Sequence, residues 1–282
     1  MRKLISAVAA LGVMVYTSTA YAEPIKIRMD NQTDVAPIAI FSEVQPEIKN
    51  NRTMVPLRVI SENLGTTVNW SGSSVVLTKG KVKVILRPNS NTAVKNGKTV
   101  HLDVKPYLKN NRTMVPLRFI AETFGCTVSY SDLAVTVETK PLTIDGIIVK
   151  TVQQEYRMTM GGVVNHINGN TFNEAIYQVF MEHKGIKVEA PSSYSWSVHN
   201  SEPRSYYKIG QYDFLDRQGN SIKRYDIYSS MQSTNGDPQV LLYEANENQW
   251  YRFNYSASQA VWRLIHTAAK NGYLTEISNT VP

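Results

Sequence analysis

The sequence predicts an α+β protein, and three observations lead there. Residues 44–70, VQPEIKNNRTMVPLRVISENLGTTVNW, recur sixty positions later as residues 104–130, VKPYLKNNRTMVPLRFIAETFGCTVSY, with NNRTMVPLR identical. Within each phrase a short helical spacing gives way to β-branched runs. Beyond residue 147 the phrase is absent, and aromatic strand-like runs alternate with two helical stripes. The fold expected is therefore two small units, each a short helix on antiparallel strands, followed by a separate α+β domain with an antiparallel meander and flanking helices.

Each element of the repeat has a local cause. Pro56 and Pro116 stand where a helix begins, since proline at the first helical position lacks an N–H that would be unpaired anyway. Leu57, Ile60, Ser61 and Leu64 then share one side, as do Leu117, Ile120, Ala121 and Phe124. Gly65 and Gly125 supply the left-handed residue that ends a helix. Arg58 faces Glu62, and Arg118 faces Glu122, at i,i+4, a spacing worth a few tenths of a kcal/mol on an exposed helix. The plain reading is a solvated ion pair; a ligand role for either arginine is the alternative. Val68–Trp70 and Val128–Tyr130 follow as strands, then Val75–Leu77 and Val135–Val137. A two-stranded piece cannot bury a helix stripe alone, so further strands must join it. Whether the two units share one core is left open.

These residues resemble the copper amine oxidase N-terminal-like (stalk) domain, over about residues 24–140. The resemblance is carried by Asn51 to Glu62, Gly65 and Trp70, and again by Asn111 to Glu122, Gly125 and Tyr130. Asn51 and Asn111 stand where the family has glycine, and Tyr130 where tryptophan is usual. The resemblance implies an accessory extracellular module in two tandem copies, about 24–88 and 89–140, with no catalytic role. No family is recognised in residues 147–282.

Arg2 and Lys3 precede an apolar run from Leu4 to Tyr16, and Ala20-Tyr21-Ala22 supplies the small residues of a cleavage site. A signal over residues 1–22 and a secreted chain starting at Glu23 are expected. The apolar run is short for a bilayer span, and no later stretch is apolar enough. Cys126 is the single cysteine, which excludes an internal disulfide; it reads as an inert, partly buried thiol.

Charge divides the chain. Residues 23–146 hold 16 Lys and Arg against 11 Asp and Glu, whereas residues 147–282 hold 12 of each. Strand alternation puts Lys81, Lys83 and Arg87 on one face and Val82, Val84 and Leu86 on the other. That face is either an ordinary solvated one or a contact for an anionic cell-wall polymer or another envelope protein. No recognition motif points to nucleic acid. Asn96-Gly97, between Thr92–Lys95 and Lys98–Leu102, is a hairpin signal and is expected to open the second unit.

In the second half, Thr171 with Glu174 reads as a capping box before Phe172, Ile176, Val179, Phe180 and His183. Pro191–Pro203 reads as a loop carrying Trp196 and His199. Hairpins are expected at 206–229 and 240–254, and Ser256 with Gln259 as the cap of a last helix ended by Gly272. Thr151–Met160 has no assignable pattern. Twelve of the sixteen tyrosines lie beyond residue 150. Trp196, Tyr206, Tyr212, Tyr228 and Trp250 are candidates for an aromatic binding face, with strand packing as the alternative.

The five histidines show no metal spacing, and no glycine-rich phosphate loop or nucleophile elbow is present. No metal or cofactor is expected. The reading is an exported, non-catalytic surface or wall-associated module whose specificity lies in residues 147–282. The alternative is an envelope hydrolase using carboxylates such as Glu155, Asp213 or Asp226, which would assemble in space rather than in sequence.

Overall fold

The structure is a computed structural model that describes residues 25–30, 38–40, 42–131, 134–158, 160–196, 205–234 and 237–282. The expected signal at residues 1–22 and His199 lie outside the described residues.

The repeated phrase builds the middle of the first half. Asn50 and Asn51, like Asn110 and Asn111, take positive φ between 47° and 60°, a conformation asparagine tolerates better than most residues. That turn sends the chain into strands Arg52–Pro56 and Arg112–Pro116, which the sequence reading did not assign. The two strands pair with each other, Val55 opposite Val115, Met54 opposite Pro116 and Pro56 opposite Met114. Residues sixty apart therefore meet across a local two-fold axis. Glu47–Lys49 and Tyr107–Lys109 complete this four-stranded sheet. The ion pairs obey the same axis: Arg52 reaches Asp103 at 2.8 Å, and Arg112 reaches Glu43 at 3.3 Å. Val55, Leu57 and Ile60 lie in one apolar cluster with Val115, Leu117 and Ile120, so a single core serves both phrases. Val44, Met54, Val104 and Met114 form a small second cluster.

Helices α1 (Leu57–Asn63) and α2 (Leu117–Thr123) follow. Pro56 and Pro116, at φ −60° and −63°, occupy the capping position rather than the first helical one, because each also ends a strand. Gly65 and Gly125 take φ +67° and +84°, the left-handed geometry that stops a helix.

After α1, strands Thr67–Ser71, Ser74–Lys79, Val82–Leu86, Thr92–Lys95 and Lys98–His101 form a consecutive antiparallel sheet. Asn96 and Gly97 make the expected tight turn, at φ 48° and 82°. Their hairpin extends this first sheet instead of opening the second unit. After α2, the hairpin Thr127–Ser131 and Ala134–Glu138 takes its third strand from the start of the described chain. Lys26–Asp30 lies parallel to Ala134–Glu138, and Ile38–Ile40 pairs beyond it. Burial of Ile27 and Met29, 4% and 0% exposed, holds that strand in place.

The second half is a nine-stranded sheet. Its order runs Lys187–Val188, Gln249–Phe253, Asp237–Glu244, Ser221–Thr234, Tyr206–Leu215, Thr151–Met158, Gly161–Ile167 and Leu274–Asn279, with Tyr194–Ser195 beside Tyr206. The expected meander is its centre. Thr151–Met158, without a readable pattern, is a full strand beside it. Helices α3 (Asn170–His183) and α4 (Tyr255–Lys270) are the long helices of this half. Phe180 of α3 stacks on Tyr225 at 4.7 Å and approaches Tyr212, Phe214 and Phe253.

Both expected caps are corrected. Gly169 caps α3 without a side-chain bond. Thr171 instead donates to the Asn63 carbonyl at 2.9 Å, and Glu174 pairs with Lys79 at 2.7 Å. These two residues bind the first half, so they are not available to cap. Asn254, not Ser256, caps α4 by accepting from the Ala257 amide at 2.7 Å. The apolar cluster runs without a break from Ile27 to Tyr273. Among the described residues, no helix is long and apolar enough to cross a membrane.

Candidate functional site: the helix-free face of the large sheet

Successive side chains of a strand point to opposite faces. Tyr212, Phe214, Tyr225, Ile227, Leu242 and Phe253 join the core under the helices. Their alternates Asp213, Asp226, Tyr228, Tyr243 and Trp250, with Glu155 and Arg157 on the neighbouring strand, face away. Register breaks between Lys208 and Gly210, leaving Ile209 as an extra residue. Such a bulge re-aims side chains. It brings Lys208 beside Asp226 and turns Tyr212 inward.

Asp226 is 1% exposed and sits between two cations. Lys208 Nζ donates to its Oδ2 at 2.6 Å, and Arg224 grips both oxygens at 2.8 and 3.0 Å. Burial holds the Lys208 ammonium below its ordinary value, against the pull of Asp226. Hydrogen bonding to Asp226 raises Arg224. Asp213 accepts from Gln211 at 2.8 Å and Ser221 at 2.9 Å, and Glu155 from Arg157 at 3.2 Å. The three carboxylates named from the sequence thus share one face, each engaged by a donor.

Aromatic rings border this network. Trp196 has Lys208 Nζ 4.4 Å and the Arg157 guanidinium 4.9 Å from its ring centre, within the range of a cation–π contact. Tyr194, half exposed, packs edge-on against Tyr228 at 5.7 Å and Trp250 at 4.9 Å. Tyr243 adds a further contact to Trp250 at 4.9 Å. Burial raises the Tyr228 hydroxyl well above its usual range. Tyr206 donates to Gln239 at 3.0 Å and borders a cleft of about 550 Å³ with Leu241 and Arg252.

Four of the five expected aromatics therefore lie on or beside this face. Tyr212 does not: it packs on Phe180 at 5.4 Å, and burial pushes its hydroxyl up to about 12. The bulge at Ile209 is the reason, since it breaks the alternation that relates Tyr206 to Tyr212. Tyr194 and Tyr243 were missed. Tyr194 sits in a serine-rich stretch with no strand signal, whereas alternation from Trp250 across the hairpin could have found Tyr243.

The basic residues lie elsewhere. Lys81, Lys83 and Arg87 are exposed, while Val84 and Leu86 are fully buried. Arg87 donates to Ser74 at 3.0 Å. The repeat arginines make the expected pairs, Arg58 to Glu62 at 3.8 Å and Arg118 to Glu122 at 3.7 Å. Arg118 also lies 5.0 Å above Tyr130. Burial pushes the Cys126 thiol up to about 11, a value at which little thiolate forms near neutral pH. Among the described residues, no three His, Cys, Asp or Glu side chains cluster closely enough to hold a metal.

No solved structure matches the chain. Over 172 residues it is 28% identical to a protein of Brevibacillus choshinensis described as a protease inhibitor, covering 58% of this chain and 50% of that one. The chain thus spans about half the length of this curated relative. Residues 34–139 match the copper amine oxidase N-terminal domain, and that match ends before the nine-stranded sheet begins.

Proposed function

We propose that this chain is an exported, non-catalytic binding module of the cell envelope. In this reading residues 1–22 are a signal and residues 23–140 hold two interlocked copies of the stalk-like unit as a scaffold. Residues 147–282 carry specificity on the helix-free face. One observation carries it. Glu155, Asp213 and Asp226 are each bonded by Arg157, by Gln211 and Ser221, or by Lys208 and Arg224. A hydrolase working with two carboxyls needs one free to be aimed at a leaving group, whereas each of these is already held by a side-chain donor of the same sheet. What remains open to a ligand is the aromatic rim of Trp196, Tyr194 and Tyr206. Such rings present an apolar face and a polar tip, which suits a wall glycan. The exposed Lys81, Lys83 and Arg87 would add a sequence-independent attraction to anionic wall polymer or to another envelope protein.

Retention of the full chain on purified cell wall tests this, with intact wall set against wall stripped of its acidic polymer. Binding to intact wall should weaken between about 0.05 and 0.5 M salt as the Debye length shrinks. Charge reversal at Lys81, Lys83 and Arg87 should lower it. Tyr194→Ala should lower retention on stripped wall. Retention unchanged by all of these substitutions would sink the reading, and release of soluble wall fragments would favour the envelope hydrolase. The relative's description favours a second reading in which the partner is a secreted peptidase. Slowing of a peptidase panel by the chain would support it.

A further inference from the structure

We propose that the free edge of strand Thr67–Ser71 receives an extended acidic peptide as an added strand. This goes beyond the glycan reading above and uses a different surface. Thr67–Ser71 is the outer strand of its five-stranded sheet and, among the described residues, pairs only with Ser74–Lys79. An outer strand presents unpaired N–H and C=O groups, the feature by which a sheet captures a peptide.

Here the edge borders a groove rather than open solvent. Two depressions, of about 380 and 530 Å³, share Arg58, Glu62 and Val68 as lining. Both fall in the size range of ligand pockets, about 300–1,000 Å³. Val68 and Trp70 alternate along the strand, and Trp70 is 51% exposed. Side chains at every second position of an added strand would fall beside them.

The far wall is α4. Arg263 and Thr267 line the first depression and Lys270 the second. Their spacing of four and three residues makes one stripe, about 10 Å long from Arg263 to Lys270 at the rise of a helix. Thr67 to Trp70 covers about the same 10 Å at the rise of a strand. The helix wall and the strand edge are thus matched in length.

Charge decides the occupant. Arg58 pairs with Glu62, Lys79 with Glu174 and Arg112 with Glu43. Among the described residues, Arg263 and Lys270 make no ion pair, and Glu182 is the one lining acid beyond those pairs. A peptide bearing carboxylates toward α4 would supply the missing partners. The equivalent edge, Thr127–Ser131, is arranged differently, since Arg118 folds over Tyr130 there.

The test uses the full chain and a labelled octapeptide alternating valine and glutamate, with a valine–lysine peptide as comparator. Fluorescence anisotropy should show binding of the glutamate peptide alone. Amide exchange should slow at residues 67–71 and stay unchanged at 127–131. Arg263→Glu with Lys270→Glu, both at exposed positions, should weaken binding at least about tenfold, a change of about 1.4 kcal/mol, with the thermal melt unaltered. No binding, equal binding of both peptides, absent protection at 67–71, or insensitivity to the double reversal would each overturn the proposal. So would equal displacement by soluble polyphosphate, which would mean a site for charge alone. Wall retention is read separately, so either reading can fail without the other.

Discussion

The same nine letters, NNRTMVPLR, lead into two differently completed sheets. After the first phrase the hairpin Thr67–Lys79 is continued by the strands that follow it in the chain, all antiparallel. After the second, the hairpin Thr127–Glu138 is continued by Lys26–Asp30, which arrives from the other end and runs parallel. Yet the buried side of both hairpins is alike: Val75 and Leu77 in one, Val135 and Val137 in the other, each at most 3% exposed. The phrase specifies a turn, a strand, a helix and a hairpin. What it requires next is an apolar strand, and either direction of pairing satisfies that requirement. Local sequence sets the half-built unit; the rest of the chain decides how it is closed.

The comparison breaks most readily at the helix stripes. Ile60 and Ile120 are 1% and 0% exposed, so truncation of each to alanine should cost about 2–5 kcal/mol. Denaturant melts of the two variants should give similar values. A difference above about 2 kcal/mol would mean that the two sides of the axis are not energetically equivalent.

The helix-ending glycines should sharpen the contrast. Both have positive φ, so alanine at either costs about 1–2 kcal/mol of left-handed strain. A Cβ on Gly125 meets nothing within 4 Å, whereas one on Gly65 would sit 2.9 Å from the backbone oxygen of Thr171. Gly65→Ala should therefore cost about 1–3 kcal/mol more, the usual scale of overpacking. Equal melting of the two variants would show that α3 can step back from the first half.

The smallest effect concerns positions 47 and 107, which are sixty apart and have diverged. Tyr107 donates its hydroxyl to Glu47, and Lys109 pairs with the same carboxylate. Bonds from Lys109 and then Tyr107 lower the Glu47 carboxyl below its ordinary 4.5. A depressed carboxylate adds stability above its unfolded value and loses it as pH falls through the folded one. Glu47→Gln should therefore flatten the decline in stability below about pH 4.5. An unchanged acid limb would place the dependence on other groups.

Much of the first half was legible because its elements are local: proline, helix stripe, glycine and Asn-Gly turn each act within a few residues. The strand Arg52–Pro56 was not, since its partner is its own equivalent sixty positions away and only that pairing makes Met54 and Val55 core. In the second half, Thr171 and Glu174 had the spacing of a cap but serve the seam to Asn63 and Lys79. The candidate face was half legible. Tyrosine content marked it, but the bulge at Ile209 moved Tyr212 off it while Lys208 stayed on it with Tyr206, and a bulge leaves no sign in alternation. The carboxylates could be named, but their donors come from neighbouring positions whose direction depends on that register.

The parallel strand at Lys26 has a consequence for how the molecule comes together. Lys26 pairs with Ala134, 108 positions later. Closing a loop of that length costs about 3 kcal/mol more than closing a three-residue turn, and such distant pairings slow folding. During synthesis strand Lys26–Asp30 must wait, with Ile27 and Met29 uncovered, while the whole intervening sheet is produced. The five-stranded sheet can form on the way; the other cannot. Strand Lys26–Asp30 thus acts as a clasp that fastens only after the sheet between is made, and any tether that holds it back leaves the second hairpin two strands short.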